Sequence, residues 1–380
     1  MPSPREASAP LKPLSGVRVL DFTAFPPGGY CTVMLADLGA EVVRVEPPSQ
    51  KGKPSLVIGQ VALSRGKRSM TLDLRNPASA GVLERLAPSV DVVVENARPG
   101  AMEARGFGYS HARASNPRIV WCAITGFGQT GPYADQPGHD LAYLAHSGLL
   151  AALSDDLPWH PGAQLATPLG AMSAVVGIQA ALLQRMASGD GAFVDISLSE
   201  STGWTLTGGI NPLSDTPLVI PATPDRRLYA CADGRFVAVT SAEPRTWSAL
   251  CEGLGAPELT GSFRDAADAE ATTNRLAAIF MTRTAAEWIQ RLTQTGAAIM
   301  PVNRGSELIA DPQVIARGSV VDAAGVPVPA SPIRLRNADG AQTRTVVDAP
   351  HAVGQDTDSV LKAAGFAEHE IERLLKDGVI

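Results

Sequence analysis

Short runs rich in valine, leucine and isoleucine alternate with helix-length segments from Gly16 to Ile124, and this alternation limits the possible folds more than any other feature of the chain. Gly16 to Phe22 reads as a strand, Phe25-Pro26-Pro27-Gly28-Gly29 as a turn, Tyr30 to Leu38 as a helix and Glu41 to Glu46 as a second strand. Such a βαβ unit requires a parallel sheet covered by helices. The pattern continues with a strand at Ser69 to Leu74, a helix at Ala78 to Leu86, and strands at Val90 to Glu95 and Arg118 to Ile124. It predicts an α/β fold whose large lobe is Rossmann-like and doubly wound.

Further along, a helix starts near Asp140, and an apolar helix runs from Ser173 to Arg185. The turn Ser188-Gly189-Asp190-Gly191 and a strand at Phe193 to Ile196 follow. The region Asn211 to Arg226 is Pro-rich and loses periodicity, as a linker does. A smaller αβ lobe follows, with a strand at Arg235 to Val239 and helices at Trp247 to Leu254, Thr272 to Phe280 and Ala285 to Thr295. An amphipathic helix from Ala367 to Lys376 reads as a return to the first lobe. The expected organisation is a flexible tail over 1–13, a large lobe over 14–210, a linker over 211–226, a small lobe over 227–320 and a returning segment over 321–380.

Bulk composition narrows the function. At 380 residues the chain exceeds one compact core, and 45% apolar residues suffice for a sizeable interior. A net charge of −6 offers no basic stripe for a phosphate backbone, so nucleic acid is not the expected partner. The four cysteines, Cys31, Cys122, Cys231 and Cys251, have no metal-like spacing and no nearby histidine, which points to free thiols in a reducing cytosol and to no metal. Met1 to Pro13 lacks a signal-peptide core, and no run of about 18 apolar residues occurs, so a cytoplasmic protein without a membrane span is expected.

The first turn is not G-x-G-x-x-G, so a dinucleotide fingerprint is absent. Its glycines still allow close backbone approach at a helix N-terminus, where free amides and the dipole favour anions, although a turn without a ligand fits equally well. Arg44 lies near the carboxyl end of the second strand, where open α/β sheets meet nucleotides, although a lone arginine there is often only solvated. The basic loop Ser64-Arg65-Gly66-Lys67-Arg68-Ser69, the strand exit Glu95-Asn96-Ala97-Arg98-Pro99-Gly100 and the glycine-rich Thr125 to Pro132 each fit an ordinary surface loop. Together they supply cations and amides for a polyphosphate. His139 follows Gly138 and precedes Asp140, which can cap a helix from Leu141 to Leu149. The positive end of that helix favours a neutral ring, which suits a base and fits a structural hydrogen-bonding histidine as well.

Together with Asp37 to Glu46, Gly138 to Tyr143, Asp356 to Leu361 and Lys376 to Ile380, these segments make the chain resemble the class III CoA-transferase (CaiB/BaiF) family from about Leu14 onward. Its pattern is closest to the alpha-methylacyl-CoA racemase branch. The resemblance implies an acyl-CoA substrate held mainly by the first lobe, with Arg44, Arg65, Lys67, Asn96 and Arg98 as contacts to CoA. It implies His139 as a base, Glu243 beside it, and Asp140 orienting the ring or capping the helix. It also implies a homodimer of interlocked rings.

One family feature is missing. The long helix of these proteins starts with an aspartate, usually four residues before a glycine, whereas counting back from Gly170 gives Ala166, or Thr167 with one gap. No acid lies between Asp156 and Asp190. Alanine cannot attack a thioester, threonine needs an activating base, and the second base of a racemase is lost with the same residue. The glycine run of the transferases is replaced by Val219 to Asp225, proline-stiffened and free of glycine, which favours the racemase branch. Three readings follow: an enzyme using one base at the α-carbon, a CoA-transferase subunit working beside a related aspartate-bearing subunit, and a noncatalytic acyl-CoA-binding protein.

Overall fold

The structure is a computed structural model, and it describes residues 9–52, 60–153, 160–208 and 222–380. Two compact units form, one from residues 1–214 with 316–380, the other from 215–315. The expected linker falls mostly on 209–221, outside the described residues, as does the beginning of the tail over 1–13 and of Val219 to Asp225.

In the first unit, β1 (Arg18–Asp21), β2 (Glu41–Glu46), β3 (Arg68–Thr71), β4 (Val92–Glu95), β5 (Val120–Thr125) and β6 (Phe193–Ser197) form one sheet in the order 3-2-1-4-5-6. Every neighbouring pair is parallel. Strand order therefore reverses between β1 and β4, the place where open parallel sheets leave a crevice at their carboxyl ends. Alternate residues feed opposite faces. Leu20, Val93, Trp121 and Ala123 pack with α3 (Ala78–Leu86), with Phe107, which follows the short α4 (Ala101–Ala104), and with Ala112 of α5 (Tyr109–Ser115). Val19, Val92, Val94, Cys122 and Ile124 pack with α1 (Pro26–Asp37), α6 (Asp140–His146) and α8 (Ala166–Ser188). Two small helices, α2 (Gln60–Ser64) and α7 (Leu149–Ala152), complete this part, with α9 (Leu198–Gly203) after β6.

Helix α8 is 23 residues long and apolar enough, by length and composition, to cross a membrane, but half of its most apolar window is buried in the unit. It serves as a core helix, with Ala171, Ala174, Val175 and Ile178 in the second face cluster. The expected start at Ser173 was late by nearly two turns, because the breaker Pro168 lies in the first turn, where a missing N–H costs nothing.

The second unit has an antiparallel sheet of β7 (Arg227–Ala230), β8 (Phe236–Val239) and β9 (Ile299–Pro301). It is packed by α10 (Pro244–Leu254), α11 (Ala269–Phe280) and α12 (Ala285–Thr293) around Tyr229, Trp247, Phe280 and Trp288. Beyond the small helices α13 (Gly305–Leu308) and α14 (Pro312–Arg317), the hairpin β10 (Val320–Ala323) and β11 (Val326–Pro329) belongs to the first unit. So do α15 (Thr357–Ala363) and α16 (Glu368–Lys376), whose Val360, Leu361, Phe366 and Ile371 join the α3 face of the large sheet.

Candidate active site at the switch point

The loops leaving β1, β4 and β5 surround a cavity of about 480 Å³, within the usual range for small-molecule sites. Pro26 and Pro27 come from the first, Asn96 and Arg98 from the second, and Thr125 with Gly126 from the third. His139, Asp140, Tyr143, Gln164 and Thr167 close it.

Local chemistry explains each wall. Helix α1 starts at Pro26, four residues earlier than expected, because proline presets the first helical turn. Gly28 lies inside that turn, where an added Cβ would meet the Thr23 side chain at 2.1 Å, so glycine serves close approach there and not a loop. The expected amide cradle is correspondingly weak, since Pro26 and Pro27 have no N–H to offer an anion. Asn96 accepts from the Ala24 amide at 3.2 Å and so ties the β4 exit to the β1 exit. Arg98 is exposed and has no ion pair among the described residues.

His139 is the N-cap residue of α6, in extended conformation and exposed, and its ring has no hydrogen bond among the described residues. Asp140 does not cap its own helix, as the sequence suggested. Its Oδ1 accepts from the Thr167 amide at 2.7 Å and its Oδ2 from the Leu165 amide at 2.9 Å, which caps α8, a helix whose own N-cap residue, Leu165, has no oxygen to do so. Gly148, with φ +82, ends the α6 region before Leu149, so the expected Leu141 to Leu149 helix is two short ones. The carboxylate that neutralises the start of α8 thus comes from a neighbouring helix. Of the two residues at the place of the missing aspartate, Ala166 is fully buried in the apolar face, while Thr167 lines the cavity.

The remaining expected CoA contacts do not line this cavity. Lys67 is 1% exposed, and its Nζ donates to Thr32 Oγ1 at 2.5 Å, Asp21 Oδ2 at 3.3 Å and the Gly29 carbonyl at 3.3 Å. Burial pushes its pKa down, against the pull of Asp21. Arg65 pairs with Asp37 at 2.5 Å and donates through Nε to the Val346 carbonyl at 2.8 Å. Arg44 pairs with Glu46 at 3.1 Å and donates to the His351 carbonyl at 3.2 Å, while its buried Nε has no partner among the described residues. Glu243 belongs to the second unit, where it is exposed at the start of α10 and its amide meets Thr246 Oγ1 at 3.3 Å.

Sequence reading assigned no role to two residues of the cavity, Tyr143 and Thr125, nor to Glu95, which precedes the lining residue Asn96. Tyr143, four residues after His139, donates its hydroxyl to the Gly138 carbonyl at 2.5 Å. The Thr125 hydroxyl is buried without a partner among the described residues. Glu95, just before the Asn96 to Arg98 wall, is pushed up to about 7 by burial, against the Ala97 amide, the Trp121 indole and Arg105. The helical spacing of His139 and Tyr143 was the one available signal. Among the described residues, no cluster of three or more His, Cys, Asp or Glu side chains is placed to hold a metal.

A six-stranded parallel sheet with a mixed polar and apolar cavity at its switch point defines an α/β protein with a small-molecule site. Residues 14–357 match CoA-transferase family III, and the chain belongs to that family, whose members act on CoA thioesters. It is 32% identical to alpha-methylacyl-CoA racemase of Homo sapiens over 386 aligned positions, covering 97% of each chain. It is 33% identical to succinyl-CoA–D-citramalate CoA-transferase of Chloroflexus aurantiacus over 339 positions, covering 82% of this chain and 84% of that one. Among solved structures, a CAIB/BAIF family protein from Brucella suis matches with a TM-score of 0.79 at 27% identity, covering 93% of this chain and 99% of that one.

Proposed function

We propose that this protein binds an acyl-CoA at the switch-point cavity and that His139 moves a proton at the α-carbon of the thioester. The observation that carries this reading is the cavity itself. It holds one histidine whose ring has no partner among the described residues, and the residue lining it from the start of α8 is Thr167, not an acid. Asp140 cannot replace the missing acid as a free base, since both of its oxygens are occupied by α8 amides. A single base supports one-sided exchange, isomerisation or elimination. At the start of α6 the Ala142 amide is taken by the His139 carbonyl at 2.8 Å, and the Asp140 and Leu141 amides are the proposed donors to a developing enolate oxygen.

Asn96 and Arg98 are the proposed contacts to CoA in the cavity, with Arg44, Arg65 and Lys67 shaping the β1 to β3 side behind it. Glu243 is the proposed partner of His139, brought to it in an interlocked dimer of two such chains. Light scattering at micromolar concentration should then give twice the chain mass, and a monomer would reject the dimer. A cytoplasmic setting suits the four buried free thiols.

A second reading is favoured by the CoA-transferase activity in the name of the Chloroflexus aurantiacus relative. In it, this chain works beside a related subunit that supplies the carboxylate. Incubating the protein with a panel of acyl-CoAs in deuterated water, with mass spectrometry of the products, tests both. Label at Cα supports the one-base reading; acyl exchange seen only with an aspartate-bearing partner supports the second. CoA binding with neither leaves a noncatalytic binder.

A further inference from the structure

Two glycines that frame the cavity lie against one aromatic ring. A Cβ on Gly126, at the exit of β5, would come within 2.4 Å of Tyr143 Cε1, and one on Gly138, just before His139, within 2.8 Å of the same atom. Each glycine therefore leaves the space that the Tyr143 ring fills. The ring is also held from behind by Phe127, edge-on with centroids 5.4 Å apart. At its far end the phenol donates to the Gly138 carbonyl at 2.5 Å. The Gly126 carbonyl is fixed in turn by the Ser199 amide at 3.0 Å.

We propose that Tyr143 is a positioning residue that sets the aim of His139, clamping the peptide before the histidine against the β5 exit loop. This deepens the one-base reading and rests on it. The hydroxyl bonds the backbone immediately before the base, and the ring, one helical turn along α6, fixes the distance from that backbone to the wall carrying Thr125. The His139 ring has no hydrogen bond among the described residues, so its direction is set by the backbone that carries it. Burial and the Asp140 carboxylate push the phenol up, which keeps it protonated and donating across the working pH range.

Tyr143→Phe keeps the ring and removes the bond. The expected result is a fall in kcat for α-proton exchange of about 10- to 100-fold, from misdirection of the base. KM should stay within about twofold, because the Asn96 and Arg98 wall is untouched. Equal kcat in the variant overturns the proposal. A second readout, the side-chain NMR signals of His139, does not depend on turnover. If they shift in Tyr143→Phe while the parent shows no exchange, the clamp stands and the one-base reading falls. If neither rate nor signals change, the clamp falls. Should Tyr143→Phe fail to fold, Gly138→Ala presses on the same ring and should give the same loss of kcat; full activity in that variant also overturns the clamp.

Discussion

On the β1 to β3 side of the large sheet, Arg44, Arg65 and Lys67 are buried and bound to Glu46, Asp37 and Asp21, whereas on the β4 to β5 side Arg98 and His139 stand open with no carboxylate partner among the described residues. Both sides belong to one sheet and both read, in sequence, as basic segments near strand ends. A buried cation is held because removing its partner leaves an uncompensated charge, so these pairs fix the scaffold. An exposed arginine with no internal partner keeps its fork of donors for an incoming phosphate or carbonyl. Availability, not charge, separates a ligand contact from a structural one.

The comparison is broken most severely by Lys67→Met. Removing the ammonium leaves Asp21 buried at 2% exposure, and the expected loss is about 3 to 5 kcal/mol in denaturant unfolding at pH 7. CoA affinity per folded molecule should not change. Unaltered stability with lost CoA binding would instead make Lys67 a ligand contact.

Glu95→Gln should act through pH. Burial raises this carboxyl from 4.5 to about 7 in the folded protein, which therefore binds the proton more tightly than the unfolded chain does. Its contribution to stability is present below about 4.5 and drains away as pH rises towards about 7. The glutamine variant should match the parent in melting experiments at acid pH and exceed it at pH 8, by on the order of 2 kcal/mol. A parent whose stability does not fall over that window would contradict this.

Arg98→Ala sharpens the open side. Isothermal titration should show CoA binding weakened by roughly 1.5 to 3 kcal/mol, with unfolding almost unchanged. Arg44→Ala should do the reverse, and equal loss of affinity in both variants would erase the distinction between the two sides.

The last substitution is the sharpest functional test. Thr167→Asp places a carboxylate on the cavity wall beside Asp140, at a residue only 4% exposed, so burial and the like charge both oppose its ionisation. It should add epimerisation or acyl transfer if only the acid is missing. Ala166→Asp should fail where Thr167→Asp succeeds: both residues are buried, but Ala166 belongs to the apolar cluster while Thr167 lines the cavity. Activity in Ala166→Asp alone would show that the start of α8 turns differently.

The parallel α/β architecture was legible because hydrophobic alternation is local: β2 falls on Glu41–Glu46 and α3 on Ala78–Leu86, as read. The site was legible only where its residues share a segment, as Gly138 to Asp140 do. The Asp140 cap on Leu165 and Thr167 spans more than twenty positions, and no periodicity announces it. Burial was equally hidden. Nothing in Arg65-Gly66-Lys67 tells that both cations turn inward, since their partners Asp37 and Asp21 lie on α1 and β1.

The returning helices also set an order of events during synthesis. Val360, Leu361, Phe366 and Ile371, which complete one face of the large sheet, leave the ribosome only after all of residues 215–315. Until then Leu20, Val93 and Met70 lack part of their cover, while the second unit, continuous in sequence, has everything it needs to fold. The nascent chain therefore finishes its later unit first and carries an open, sticky sheet face in the meantime, the interval in which a chaperone is most useful.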